Sequence, residues 1–133
     1  ADAEPRERLE LLLDFSDKLP PLEEPYRAQR DAGMNRIHEC QTPVFLWIDL
    51  VDGRVRIVGD VAAEAPTVKG FVQLLIEACQ GATPAEIRAL PPDIVRRLGL
   101  LEALGMQRSR GLQGIVARIA REVAKLTGEG SSA

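Results

Sequence analysis

Apolar residues recur along this chain with two different periods, and each change of period marks an element. Leu9, Leu12, Leu13 and Ser16 fall at helical spacing among Arg6, Arg8, Glu10 and Asp14, which predicts an amphipathic helix over about residues 5 to 17. Pro5 and the acidic residues before it sit where a first helical turn tolerates them. Pro20, Pro21 and Pro25 then interrupt regular structure, because each removes a donor and biases the residue before it towards extended backbone. Tyr26 to Gly33 reads as a short helical turn ending at the glycine. The pattern changes at Val44-Phe45-Leu46-Trp47-Ile48-Asp49-Leu50, a strand-forming run that places Trp47 in the core, and again at Arg54-Val55-Arg56-Ile57-Val58, where alternation is partial. Asp52-Gly53 between them predicts a tight hairpin, since its primed turn requires positive φ. Residues 35 to 39 add a third, short strand, so the expected sheet is small, antiparallel and three-stranded.

The second half reads as helices. Val68, Phe71, Val72, Leu74, Leu75 and Ile76 leave little polar surface between Pro66 and Cys79, which predicts a largely buried helix. Thr83-Pro84-Ala85-Glu86 has the form of a capping box opening a short helix to about Ala89. Pro92 to Gly99 reads as another short helix closed by glycine. Leu112, Ile115, Val116, Ile119, Ala120, Val123 and Leu126 predict a terminal helix of about 15 residues. Residues 1–126 are expected to form a single domain and 127–133 a disordered tail.

Composition narrows the class. A chain of 133 residues suits one domain with a core that needs no staple, and five aromatics in total make that core aliphatic. Seventeen basic against 20 acidic residues give a net charge of −3 with no basic stripe, which argues against a nucleic-acid partner. No apolar run reaches the length of a membrane span, so no membrane role is expected, and the first 15 residues are too charged for a secretory signal. The expected location is cytoplasmic, where both cysteines stay as free thiols. One histidine and two cysteines 39 positions apart offer no CxxC or HxxxH spacing, so no closed metal site within one chain is expected.

The two cysteines differ in setting. Cys79 follows Ala78 within an apolar helix and reads as packing. Cys40 lies in a polar stretch, Asn35 to Pro43, immediately before the most apolar strand, which is where a scaffold presents a reactive group on a loop.

Five signals in order resemble the SufE-type sulfur-acceptor proteins, also called cysteine desulfuration proteins. Glu39-Cys40-Gln41-Thr42 stands where that family has a pattern close to Gly-Cys-Gln-Ser, and the apolar strand Val44-Phe45-Leu46-Trp47 follows it. Glu64-Ala65-Pro66-Thr67-Val68-Lys69-Gly70 resembles the family's Asp-Ala-x-Ile-x-Lys-Gly at the head of a buried helix. Thr83-Pro84 and Arg108-Ser109-Arg110-Gly111-Leu112, the last before the terminal helix, complete the series. The departures at Glu39, Thr42 and Glu64 bear on loop geometry more than on the nucleophile.

The resemblance implies an α/β (α+β) fold of SufE/IscU-like type, with the small sheet covered on one side by helices. It further implies a sulfur carrier, not an independent enzyme, loaded at Cys40 from the persulfide of a SufS-type cysteine desulfurase. That carrier would stimulate the desulfurase and deliver sulfur to a SufBCD-type iron–sulfur scaffold complex. The pyridoxal phosphate belongs to the partner. Arg108, Glu64 and Lys69 match motif positions and become supporting candidates, each with an ordinary structural alternative. Gln41 would hold the loop through its amide. Thiolate is the attacking form, and an ordinary cysteine, with pKa about 8.5, is a few per cent ionised at neutral pH. His38 and Arg36 would favour the thiolate and Glu39 would oppose it; if residues 36 to 40 are extended, His38 and Cys40 share a side. The alternatives are an iron–sulfur or metal-binding scaffold, which needs about three or more ligands, and a cysteine hydrolase pairing Cys40 with His38, which lacks an orienting third group.

Overall fold

A computed structural model describes residues 5–128. The elements in chain order are α1 (Pro5–Ser16), α2 (Tyr26–Asp31), β1 (Val44–Val51), β2 (Arg54–Val61), α3 (Pro66–Cys79), α4 (Pro84–Arg88), α5 (Ile94–Arg97), α6 (Leu100–Leu104) and α7 (Met106–Leu126). Thr127 and Gly128 of the expected tail form a turn closing α7, and residues 129–133 lie outside the described residues.

β1 and β2 form an antiparallel hairpin with Val44 opposite Val61 and Val51 opposite Arg54. Asp52 (φ 53°) and Gly53 (φ 77°) turn the chain in the left-handed region, as a primed two-residue turn requires. Val44, Leu46, Val55, Ile57 and Val61 project from one face into the core. Gly59 on that face leaves room for Val72 and Ile76 of α3, which a methyl group would meet at 3.1 Å. Trp47 lies on the opposite face instead of in the core. It is half-buried beneath Tyr26 (ring centroids 5.2 Å apart), and its indole N–H donates to Gln29 Oε1 at 2.7 Å.

The sheet has two strands, not three. Residues 35 to 37 run beside β1 and make only the bridge Arg36 to Phe45, with Leu46 N–H donating to Asn35 O (3.1 Å) and Ile37 N–H donating to Val44 O (2.8 Å). Asn35 has φ 64°, which ends extended pairing on one side, and the chain turns at His38 on the other. The outer edge of β2 is covered without a strand. Ile57 N–H donates to Gln80 Oε1 (2.7 Å), Gln80 Nε2 donates to Ile57 O (3.1 Å), and Val55 exchanges backbone bonds with Gly81 and Ala82. Each edge is thereby covered over part of its length, β1 from Val44 to Leu46 and β2 from Val55 to Ile57.

α3 crosses the inner face of the hairpin with Val68, Phe71, Val72, Leu75 and Cys79 buried, and α1 packs along it. At Gly70 the helices approach so closely that a Cβ would collide with the Leu12 carbonyl. α4 carries the expected capping box: Glu86 N–H donates to Thr83 Oγ1, and Thr83 N–H donates to the Glu86 carboxylate. The last helix begins at Met106, six residues earlier than its apolar repeat, so Arg108 to Leu112 lie within α7. Gly105 (φ 85°) separates it from α6, which the sequence pattern did not distinguish. Leu112, Ile115, Val116, Ile119 and Val123 bury one stripe of α7 beside β1.

Candidate functional site

The connection from Ile37 to Val44 is short because Ile37 N–H donates to Val44 O, which closes residues 38 to 43 into a loop at the end of β1. Ile37 and Val44 are both buried and fix the loop's ends in the core. Cys40 N–H donates to Ile37 O at 3.4 Å, and Arg36 Nη2 donates across the loop to Gln41 O at 3.5 Å. This turn brings Cys40 inward, where it is 7% exposed.

Its floor is α7. A Cβ built on Gly111 would lie 3.4 Å from Cys40 Sγ, so the thiol sits against bare helix backbone. One turn further on, a Cβ on Gly114 would lie 2.6 Å from Glu39 Cβ. Glycine costs about 1 kcal/mol relative to alanine inside a helix. Gly114 is what lets the loop come this close, whereas a methyl at Gly111 would reach ordinary contact distance.

The thiol borders a pocket of about 420 Å³ lined by Gln41, Thr42, Val68, Gln107, Arg108 and Arg110 among others. Arg108 and Arg110 are exposed at this rim and give it a positive character. Cys40, Gln41 and Arg108 are therefore brought together. Gln41 is held through its backbone carbonyl, and its side chain is exposed. His38, Glu64 and Lys69 are not among the lining residues. Because the chain turns at 38 to 41, strand alternation does not apply, and His38 is exposed where Cys40 is buried. Glu64 is an exposed turn residue ahead of α3, and Lys69 lies one residue beyond Val68 on α3. Cys79 is a separate, 1% exposed thiol whose pKa burial pushes up, which leaves it a poor nucleophile. Among the described residues no three of His, Cys, Asp or Glu gather where they could hold a metal ion.

In sequence Glu39 is a departure from the family glycine and a neighbour that opposes the thiolate. In the fold its carboxylate accepts from Arg121 Nη2 at 2.9 Å and Arg118 Nη1 at 3.4 Å, both on α7. Burial alone would raise its pKa, but hydrogen bonds from its own backbone and Arg121, with the charges of Arg118 and Arg121, bring it below the ordinary carboxylate value. Gly111 and Gly114 at helical spacing within an aliphatic helix were the available sequence signal for this close approach.

The SufE family, described as an Fe-S metabolism associated domain, matches residues 1–123. An uncharacterized SufE-like protein of Mycobacterium tuberculosis is 37% identical over 124 residues, covering 92% of this chain and 85% of its own. The sulfur acceptor protein CsdE of Escherichia coli is 30% identical over 106 residues, covering 78% of this chain and 68% of its own. The solution structure of a hypothetical protein from Thermus thermophilus superimposes with a TM-score of 0.78 at 35% identity, covering 95% of this chain and 88% of that one. With the family pattern spanning nearly its whole length and the mixed helix and sheet architecture shared, this chain belongs to the SufE family.

Proposed function

We propose that this protein is a sulfur acceptor that takes persulfide sulfur from a cysteine desulfurase onto Cys40 and passes it on for iron–sulfur cluster assembly. The Cys40 thiolate attacks the terminal sulfur of the donor's persulfide. The new bond forms as the donor's sulfur–sulfur bond breaks, and the donor cysteine leaves as a thiolate, so the charge is conserved and no oxidant is consumed. Delivery is the same exchange in the other direction, with a thiolate of the acceptor, a SufBCD-type scaffold, as nucleophile. Pyridoxal phosphate stays with the desulfurase. The observation that carries this reading is Cys40 itself, folded inward on Gly111 beside a pocket that has room for a second sulfur and two arginines at its rim. An inward persulfide is sheltered from bulk oxidants and reductants. Membership of a family associated with iron–sulfur metabolism, and similarity to a named sulfur acceptor, support the same reading.

The test is turnover of a SufS-type desulfurase on cysteine with and without this protein. The parent chain and Cys79→Ala are expected to accelerate alanine formation, and Cys40→Ser is expected to lose the effect. Equal acceleration by Cys40→Ser would refute the proposal.

A further inference from the structure

The loop carrying Cys40 is joined to two different bodies. Towards the hairpin it is held by backbone bonds at Ile37 and Val44 and by Arg36 at Gln41. Towards α7, its polar ties among the described residues run through Glu39, to Arg118 at 3.4 Å and Arg121 at 2.9 Å. Cys40 and Glu39 occupy successive glycine notches on α7, at Gly111 and Gly114, so fastening Glu39 also seats the thiol.

The fastening is built to come undone. Arg121 is 51% exposed and regains water when Glu39 leaves. Arg118 already touches Glu122 at 3.6 Å and keeps that partner. Neither guanidinium is stranded by opening, and Glu39, 33% exposed, is quickly hydrated. Among the described residues no hydrogen bond or ion pair ties Cys40 itself to α7, against which it is held by apolar packing at Gly111.

We infer that Glu39 is a positioning residue for sulfur transfer: its attachment to Arg118 and Arg121 holds the Cys40 loop shut on α7, and release of that attachment presents the sulfur to a partner. The second half rests on the function proposed above, whereas the first concerns this chain alone. A docking partner opens the loop by offering Glu39 or the two arginines competing charges.

The experiment uses the full chain and a polyethylene-glycol maleimide, a thiol reagent too bulky for a pocket of about 420 Å³, so that Cys40 labels only when its loop lifts. Exposed ion pairs are modest, so Glu39→Gln, which breaks both pairs, is expected to label Cys40 roughly three- to tenfold faster than the parent, and Arg121→Gln, which leaves Arg118 in place, roughly two- to fivefold faster, with the double variant no faster than Glu39→Gln. Buried Cys79 labels only on wider unfolding and should not change. Raising salt from about 0.05 to 1 M should accelerate Cys40 labelling in the parent but not in Glu39→Gln, because screening removes what the substitution already removed. The inference is overturned if Cys40 labels within twofold of the parent in both variants. Parallel acceleration of Cys79, which means general loosening, also overturns it. If Glu39→Gln does not fold, the parent's salt response decides alone, and a flat response refutes the attachment. None of these readings needs a desulfurase, so loss of the sulfur-acceptor proposal through Cys40→Ser and loss of this one are separate results.

Discussion

Gly111 and Gly114 lie one turn apart on α7 under neighbouring residues of one loop, yet alanine should act on them in opposite directions. At Gly111 the new methyl would lie 3.4 Å from Cys40 Sγ and 3.6 Å from Cys40 Cα, ordinary van der Waals contact. The helix gains the usual advantage of alanine over glycine, about 0.5–1 kcal/mol, with no opposing clash. At Gly114 the methyl would lie 2.6 Å from Glu39 Cβ and 3.3 Å from its Cγ. The obstructing atom is next to the backbone and cannot swing aside as a side-chain tip does. Overpacking of this kind costs about 1–3 kcal/mol, so after the same helical gain Gly114→Ala should be destabilised by up to about 2 kcal/mol. Lifting the loop relieves the clash, and any part of the cost avoided that way must appear as faster labelling of Cys40. Urea unfolding followed by helical circular dichroism gives the stabilities, and the bulky maleimide gives the loop. Gly111→Ala should be stabilised with Cys40 still slow; Gly114→Ala should be destabilised, or Cys40 fast, or both. A Gly114→Ala protein that gains stability as Gly111→Ala does, with Cys40 still protected, would refute the close seating of Glu39 on α7.

Two further outcomes follow from the same contacts. Gln80→Ala removes the amide that pairs with both backbone groups of Ile57 at 2.7 and 3.1 Å, and should lower unfolding stability by about 1–3 kcal/mol without slowing sulfur loading; an unchanged midpoint would show that water replaces the amide at no loss. Glu39 has a folded pKa below its unfolded value, so its stabilising contribution is complete above the unfolded value and is lost as pH falls through the folded one. The stability difference between the parent and Glu39→Gln should therefore hold steady from about pH 7 to 5 and shrink below about 4.5, and a difference unchanged down to about pH 3 would contradict the attachment.

What the sequence made legible was local. Pro66 to Cys79 formed the buried helix with its expected ends, Asp52-Gly53 turned the hairpin, and Thr83 to Glu86 closed a capping box, because each depends on neighbours within a few positions. The third strand failed for an equally local but invisible reason, the left-handed backbone at Asn35. The other sheet edge is satisfied by a side chain, Gln80, for which strand periodicity has no signal. α7 began earlier than its apolar repeat because Gln107, Arg108 and Arg110 face solvent and the pocket, so the first turn carries no hydrophobic stripe. The run around Trp47 is apolar up to Asp49 and so reads as core, but alternation within the strand sends Trp47 to the other face. At the site, Cys40 stood out by its polar setting before a strand. Glu39 did not, since its partners lie 79 and 82 positions away and only the packing of α7 against β1 brings them within reach.

The central claim is that a sulfur atom is carried on Cys40. The most direct measurement incubates the chain with a cysteine desulfurase and cysteine, without reductant, and weighs the intact protein by mass spectrometry. A persulfide adds one sulfur, about 32 mass units, and should appear on the parent and on Cys79→Ala but not on Cys40→Ser. An unmodified parent beside an actively turning desulfurase, or the same added mass on Cys40→Ser, would contradict the account.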